Sequence, residues 1–191
     1  MEGILAAGFF VFSIFFGVIT FALWGRIILR YLKISAIHPI NQLILKITNP
    51  IVSPVNNAIK SFIPSKYQYD IPCFLVLITV EVLKFLFIGS IFLPTQLPLS
   101  LMIIYPIADI IIQPLNLICY AIFIRVIMSW INPGWRNPLN DILFLVTEPL
   151  LRPIRDFTPP IAGFDFSPFI VFIIIKVITI FIGSSIPLHL I

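Results

Sequence analysis

Four ionisable side chains, Glu81, Lys84, Asp109 and Lys176, stand inside long apolar runs. A charge in hydrocarbon is costly, so such groups face a bundle interior, pair with one another, and often mark ion or proton paths. At about 1.5 Å of helix rise per residue, Glu81 and Lys176 each lie roughly 15 Å from the inner end of their run. Lys84 lies about 20 Å deep and Asp109 slightly deeper. These depths predict two buried pairs, Glu81 with Lys176 and Asp109 with Lys84. The pairs either fix how two halves of the chain meet or, with Gln113 nearby, line a path for an ion or proton. No other constellation suggests chemistry. The chain has no nucleophile elbow, P-loop or HExxH motif, and its two histidines, His38 and His189, have no spacing that suggests haem ligation. Cys73 and Cys119 form neither a CxxC pair nor a metal set and read as packing residues. No catalytic residue, cofactor or metal is expected.

The elements that must position these groups are membrane spans. Of 191 residues, 60% are hydrophobic and 10% charged, which leaves too little polar surface to cover a soluble globule. Four runs have the length of about 20 apolar residues needed to cross a bilayer: positions 3–25, 71–93, a segment within 101–130 expected to end near Arg125, and 166–188. The first carries Arg26, Arg30 and Lys33 after it, where a signal peptide would carry its charge in front, so it is expected to stay as a helix. Ten of the twelve basic residues lie in the two segments after spans one and three, and the other two are Lys84 and Lys176. Basic loops stay in the cytoplasm, so both long loops are expected there, with both termini on the outer side. Basic loops beside anionic headgroups also account for the pI of about 9.3 without any nucleic acid.

The chain is internally duplicated. His38-Pro39-x-Asn41 through Thr48-x-Pro50-x-x-x-Pro54 recurs ninety-nine positions later as Asn137-Pro138-x-Asn140 through Thr147-x-Pro149-x-x-x-Pro153, and the same offset carries Arg26 onto Arg125. Each half, 1–94 and 95–191, reads as span, basic cytoplasmic loop, span. The relation is therefore a parallel repeat, and the fold an all-α membrane protein of four transmembrane helices.

Within the loops, Ile40, Leu43, Ile44 and Ile47, and in the second copy Leu139, Ile142, Leu143 and Val146, have the spacing of an amphipathic helix face. Pro39 and Pro138 suit a first helical position and Asn137 its cap. Thr48-Asn49-Pro50 and Thr147-Glu148-Pro149 are expected to interrupt these helices, with another turn or two beyond. Asp70 before Pro72, and Asp165 and Ser167 before Pro168, read as caps of the second and fourth spans.

The second loop carries a resemblance. Thr147 to Asp156 reads TEPLLRPIRD, Pro159-Pro160 and Gly163-Phe164-Asp165-Phe166-Ser167-Pro168 follow, and Arg125-Val126-Ile127-Met128-Ser129-Trp130 precedes it. This resembles the YggT family of small multi-pass bacterial membrane proteins, which has plastid relatives, over nearly the whole chain as two tandem units. The first copy has drifted, with Tyr31, Ser53 and Asn56 where the second has Trp130, Arg152 and Arg155. The resemblance marks Arg125, Trp130, Asn137, Pro138, Pro149, Arg152, Pro153, Arg155, Asp165, Ser167 and Pro168 as signature positions without roles. It implies a bacterial inner-membrane location and loose links to envelope organisation, division, osmotic tolerance or membrane-complex assembly. The leading expectation is a non-catalytic adaptor or assembly factor, docking a protein partner or anionic lipid through Arg136, Arg152 and Arg155. Its expected partners are membrane lipids and a protein at the cytoplasmic loops, with a second copy of the chain as a further possible partner. The alternative is a subunit of an oligomeric ion channel or transporter built around the intramembrane charges.

Overall fold

A computed structural model describes residues 2–59, 70–91, 98–132, 134, 137–158 and 165–184, the side chains of 2, 99 and 100 aside. Among the described residues there are six helices and no strand: α1 (Glu2–Tyr31), α2 (Pro39–Ile59), α3 (Ile71–Ile91), α4 (Leu99–Ile131), α5 (Pro138–Phe157) and α6 (Ser167–Ser184). α1, α3, α4 and α6 are long and apolar enough to cross a membrane. Contacts divide the chain into two units at Pro114, within α4. The first holds α1, α2, α3 and the start of α4; the second holds the rest of α4, α5 and α6.

α1 carries no charge from Gly3 to Gly25, so nothing opposes its insertion. It runs past Arg26 to a defined stop. Lys33 takes a left-handed conformation (φ 55°), and its N–H donates to the Arg30 carbonyl while that of Ile34 donates to Leu29. This pairing satisfies carbonyls that a helix C-terminus leaves open. Asn41 then locks the corner, its Nδ2 donating to the carbonyls of Ile34 and Ser35 at 3.2 and 3.1 Å. Gly25 lets α2 come close, since a Cβ there would stand 3.1 Å from Ile44 Cδ1.

The two units repeat one small core. Leu23, Val52, Cys73, Val76 and Leu77 are buried together in the first, and Cys119, Ile122, Leu151, Val171 and Ile175 in the second. Leu23 and Ile122, and Val52 and Leu151, are related by the ninety-nine-residue offset. Lipid is as apolar as these side chains, so close packing and polar contacts, rather than release from water, hold such helices together.

Three expectations are corrected. First, α2 and α5 are continuous through Pro50 and Pro54 and through Pro149 and Pro153. A proline in a helix strips the bond to the carbonyl four residues back, but these prolines, with Lys46 and Leu145, are exposed, so solvent or headgroups can take the freed carbonyls. Second, the amphipathic faces are rotated. The inward face of α2 is Asn41, Ile44, Thr48, Val52 and Val55, whereas Leu43, Ile47 and Ile51 are exposed. In α5, Ile142 and Leu143 are buried with Thr147 and Leu151, whereas Leu139 and Leu150 are exposed. Polar threonine and asparagine belong inside here because α1 and α4 bring arginine and open carbonyls to them. Third, α4 does not end near Arg125 but continues to Ile131, because Arg125 is satisfied by α5 and its charge need not mark a helix end.

Candidate functional site

The most developed polar structure is an arginine clasp, built once in each unit. In the first, Arg26 Nη1 donates to Thr48 Oγ1 at 3.0 Å and to Asn49 Oδ1 at 2.8 Å, while its Nε donates to Asp70 Oδ2 at 2.9 Å. One side chain thus ties α1 to α2 and to the start of α3. Thr48 returns its own proton to the Ile44 carbonyl at 2.8 Å, so the hydroxyl is used in both senses. Asp70 also caps α3, accepting from the Cys73 N–H at 3.3 Å, and Arg30 adds a second ion pair at 3.1 Å. Burial pushes the Asp70 carboxyl up, but the hydrogen bond and charge of Arg26, with Arg30 and the Cys73 N–H, outweigh it and hold the group below its ordinary value.

The second clasp keeps the geometry and changes the acids. Arg125 Nη1 donates to Thr147 Oγ1 at 2.7 Å, Thr147 donates to the Leu143 carbonyl at 2.7 Å, and Arg125 Nη2 meets Glu148 Oε2 at 2.8 Å. The guanidinium carbon lies 4.7 Å from the centre of the Phe144 ring. Because Glu148 replaces Asn49, Arg125 has its acid within α5. The helix-start acid is then served from elsewhere: Arg155 Nε donates to Asp165 Oδ2 at 3.0 Å and its Nη1 to Glu148 Oε1 at 2.9 Å. Burial again raises Glu148 and Asp165. For Glu148, Arg125 and Arg155 prevail and lower it; for Asp165, Ser167 and Arg155 do.

The intramembrane charges form a separate cluster in the first unit. Glu81, the middle residue of α3, is fully buried. Lys84, one turn on, stands 2.8 Å from Glu81 Oε2 and is hydrogen-bonded to Asp109 Oδ2 of α4. Gln113 bridges the two acids, its Nε2 donating to Glu81 Oε1 at 2.6 Å and to Asp109 Oδ2 at 2.8 Å. The expected Lys84–Asp109 pair is therefore present. Of the expected Glu81–Lys176 pair, Glu81 is engaged within the first unit by Lys84 and Gln113, and Lys176 of α6 within the second unit, where it donates to Asn116 Oδ1 of α4 at 2.9 Å, with the Phe172 ring centre 5.9 Å away.

The other sequence-predicted residues are dispersed. Asn137 caps α5 by accepting from the Asn140 N–H at 2.7 Å, and Pro138 follows it at the helix start. Pro149 and Pro153 are exposed along α5, and Trp130 is exposed near the end of α4. The Ser167 N–H donates to Asp165 Oδ1 at 2.9 Å, and Pro168 lies in the first turn of α6. Arg152 is exposed, with no acceptor within reach among the described residues. Arg136, Pro159, Pro160, Gly163, Phe164 and His189 lie outside the described residues. Sequence reasoning missed Glu148 and Asn116. Glu148 was findable as the place where Thr-x-Pro gains an acid in the copy that also gains Arg155; Asn116 has no counterpart signal. Among the described residues no three His, Cys, Asp or Glu side chains are close enough to hold a metal.

The family description CCB3/YggT matches residues 5–91 and 104–186, two segments that correspond to the two copies. "Uncharacterized protein YggT" of Escherichia coli strain K12 is 29% identical over 171 residues, 88% of this chain and 85% of that protein. An "Uncharacterized protein in proC 3'region" of Vibrio alginolyticus is 29% identical over 184 residues, 93% of this chain and 94% of its own. No solved structure matches the chain. With two matched segments that coincide with two copies of one arginine-clasped unit, this multi-pass membrane protein belongs to the CCB3/YggT family.

Proposed function

We propose that the protein is a non-catalytic membrane adaptor or assembly factor of the bacterial inner membrane, which docks a protein partner on the water-facing flank of α5. The supporting observation is the unequal employment of the arginines. Arg125 and Arg155 are occupied by Glu148 and Asp165 inside the unit, whereas Arg152 is exposed on the same flank as Asp141 and Asp156. In α2 the matching position is Ser53, so the second copy holds the docking face and the first keeps the scaffold. On this reading both amphipathic helices lie at the cytoplasmic surface with both termini outside. Leu43, Ile47 and Ile51 of α2, and Leu139 and Leu150 of α5, rest in the acyl boundary, as interfacial helices do.

A photo-crosslinking residue at position 152, compared with one at 53, tests this in cells. The expected result is a discrete protein adduct from 152 that is absent from 53; adducts to lipid or to the chain itself alone would remove the adaptor reading. A second reading, a channel or transporter subunit, is favoured by the Glu81–Lys84–Asp109–Gln113 cluster. It requires an oligomer around that layer, and liposomes containing the purified chain that pass no ions under imposed gradients would exclude it.

A further inference from the structure

The intramembrane charges of the first unit do not balance. Glu81 and Asp109 are two carboxylates facing one ammonium, Lys84, and all three side chains are shielded, with exposures of 0%, 8% and 12%. Among the described residues of the first unit, the packed elements bring no further cation to them: α1, which packs on α3, has no titratable side chain between Gly3 and Gly25, and Lys46 of α2 is exposed. A net negative charge in a membrane interior is costly, and the ordinary remedy is to neutralise the group.

The hydrogen bonds point the same way. Glu81 Oε2 lies 2.8 Å from Lys84 Nζ as an ion pair and has no hydrogen-bond donor among the described residues. Gln113 Oε1 is also buried without a donor. The cluster therefore has one negative charge too many and two acceptors too many. Adding one proton to a carboxyl oxygen cancels the charge and turns an acceptor into a donor.

We propose that Glu81 is an intramembrane proton-binding site, holding a proton at neutral pH beside a fixed Lys84–Asp109 ion pair, with Gln113 bridging the two acids. The donors converge on Asp109, since Lys84 and Gln113 both donate to its Oδ2, which leaves Glu81 as the carboxyl with an oxygen that has no donor. Glu81, fully buried, keeps the proton. The site does not depend on the docking reading of α5, and it requires proton occupancy rather than transport.

Infrared spectroscopy of the full chain in lipid nanodiscs tests this at neutral pH. The chain has three glutamates, Glu2, Glu81 and Glu148, and Glu148 is held ionised by two arginines. Wild-type protein isotopically labelled at the glutamate carboxyl carbon is expected to show a protonated-carboxyl C=O stretch that moves with the label. E81Q, close in shape to the protonated acid, is expected to lose the band. D109N should lose it as well, although Glu81 is still present, because Lys84 then faces a single carboxylate. No protonated band in wild type, a band unmoved by the label, or a band that persists in E81Q or D109N would each overturn the assignment. The isotopic measurement needs no variant, so an absent or unmoved band overturns the assignment even where a substitution prevents folding.

Discussion

Each clasp turns on one guanidinium, but the two are not equally costly to break. Arg26 and Asp70 have exposed side-chain fractions of 12% and 3%, so removing the arginine leaves a shielded carboxylate whose remaining cation is the half-exposed Arg30. R26M is expected to cost about 3 kcal/mol, the scale of a broken buried pair. Arg155 and Asp165 are 36% and 37% exposed, where water screens the attraction, so R155M should cost about 1 kcal/mol or less. Thermal unfolding in a mild detergent separates the two. The Asp70 carboxyl is also a pH element. Its folded value lies below its unfolded one, so the stability it supplies is present above the unfolded value and is lost as pH falls through the folded value. Acidification below about pH 4 should therefore lower the wild-type melting temperature, and R26M should flatten that dependence. Thr48 and Thr147 were legible in the sequence as repeated residues. Their role was not, because it depends on Arg26 and Arg125 reaching them from another helix.

At the scale of the element, α2 has three flanks. One packs inward through Ile44, Thr48 and Val52; one is polar, with Gln42, Lys46, Asn49 and Ser53; one is apolar and exposed, with Leu43, Ile47 and Ile51. On the proposed reading α2 lies at a membrane surface, with its apolar flank in the acyl boundary and its polar flank in water, a seating that suits this division. Single cysteines test the seating, since native Cys73 and Cys119 are buried and give little background. A water-soluble maleimide should modify S53C at least about ten-fold faster than I47C, because Ile47 lies on the lipid side. Equal rates would show that α2 stands clear of the membrane. The existence of α2 and α5 was legible from spacing and from the proline at each start. Their rotation and continuity were not: apolar periodicity marks a stripe without saying whether lipid or protein covers it, and a helix tolerates internal proline where its freed carbonyls stay exposed.

For the whole molecule, the number of spans and the placement of basic residues make one joint prediction. With four candidate spans, the orientation proposed above puts the basic loops after α1 and α4 on the cytoplasmic side. Alkaline phosphatase joined after position 97 should be active in cells, and joined after position 66 it should be inactive; the opposite pattern would invert the assigned orientation. The spans, the duplication and the cap of α5 were determined by the sequence itself, because they follow from local free energies: transfer of apolar segments into lipid, and satisfaction of open N–H groups at a helix start. What only the tertiary structure decided is which polar groups meet. Glu81 and Lys176 align in the repeat at similar depth, yet within their own units Glu81 pairs with Lys84 and accepts from Gln113, while Lys176 donates to Asn116. Depth along a helix is set by residue count, whereas a partner is set by how each helix is rotated about its own axis, and packing alone determines that rotation.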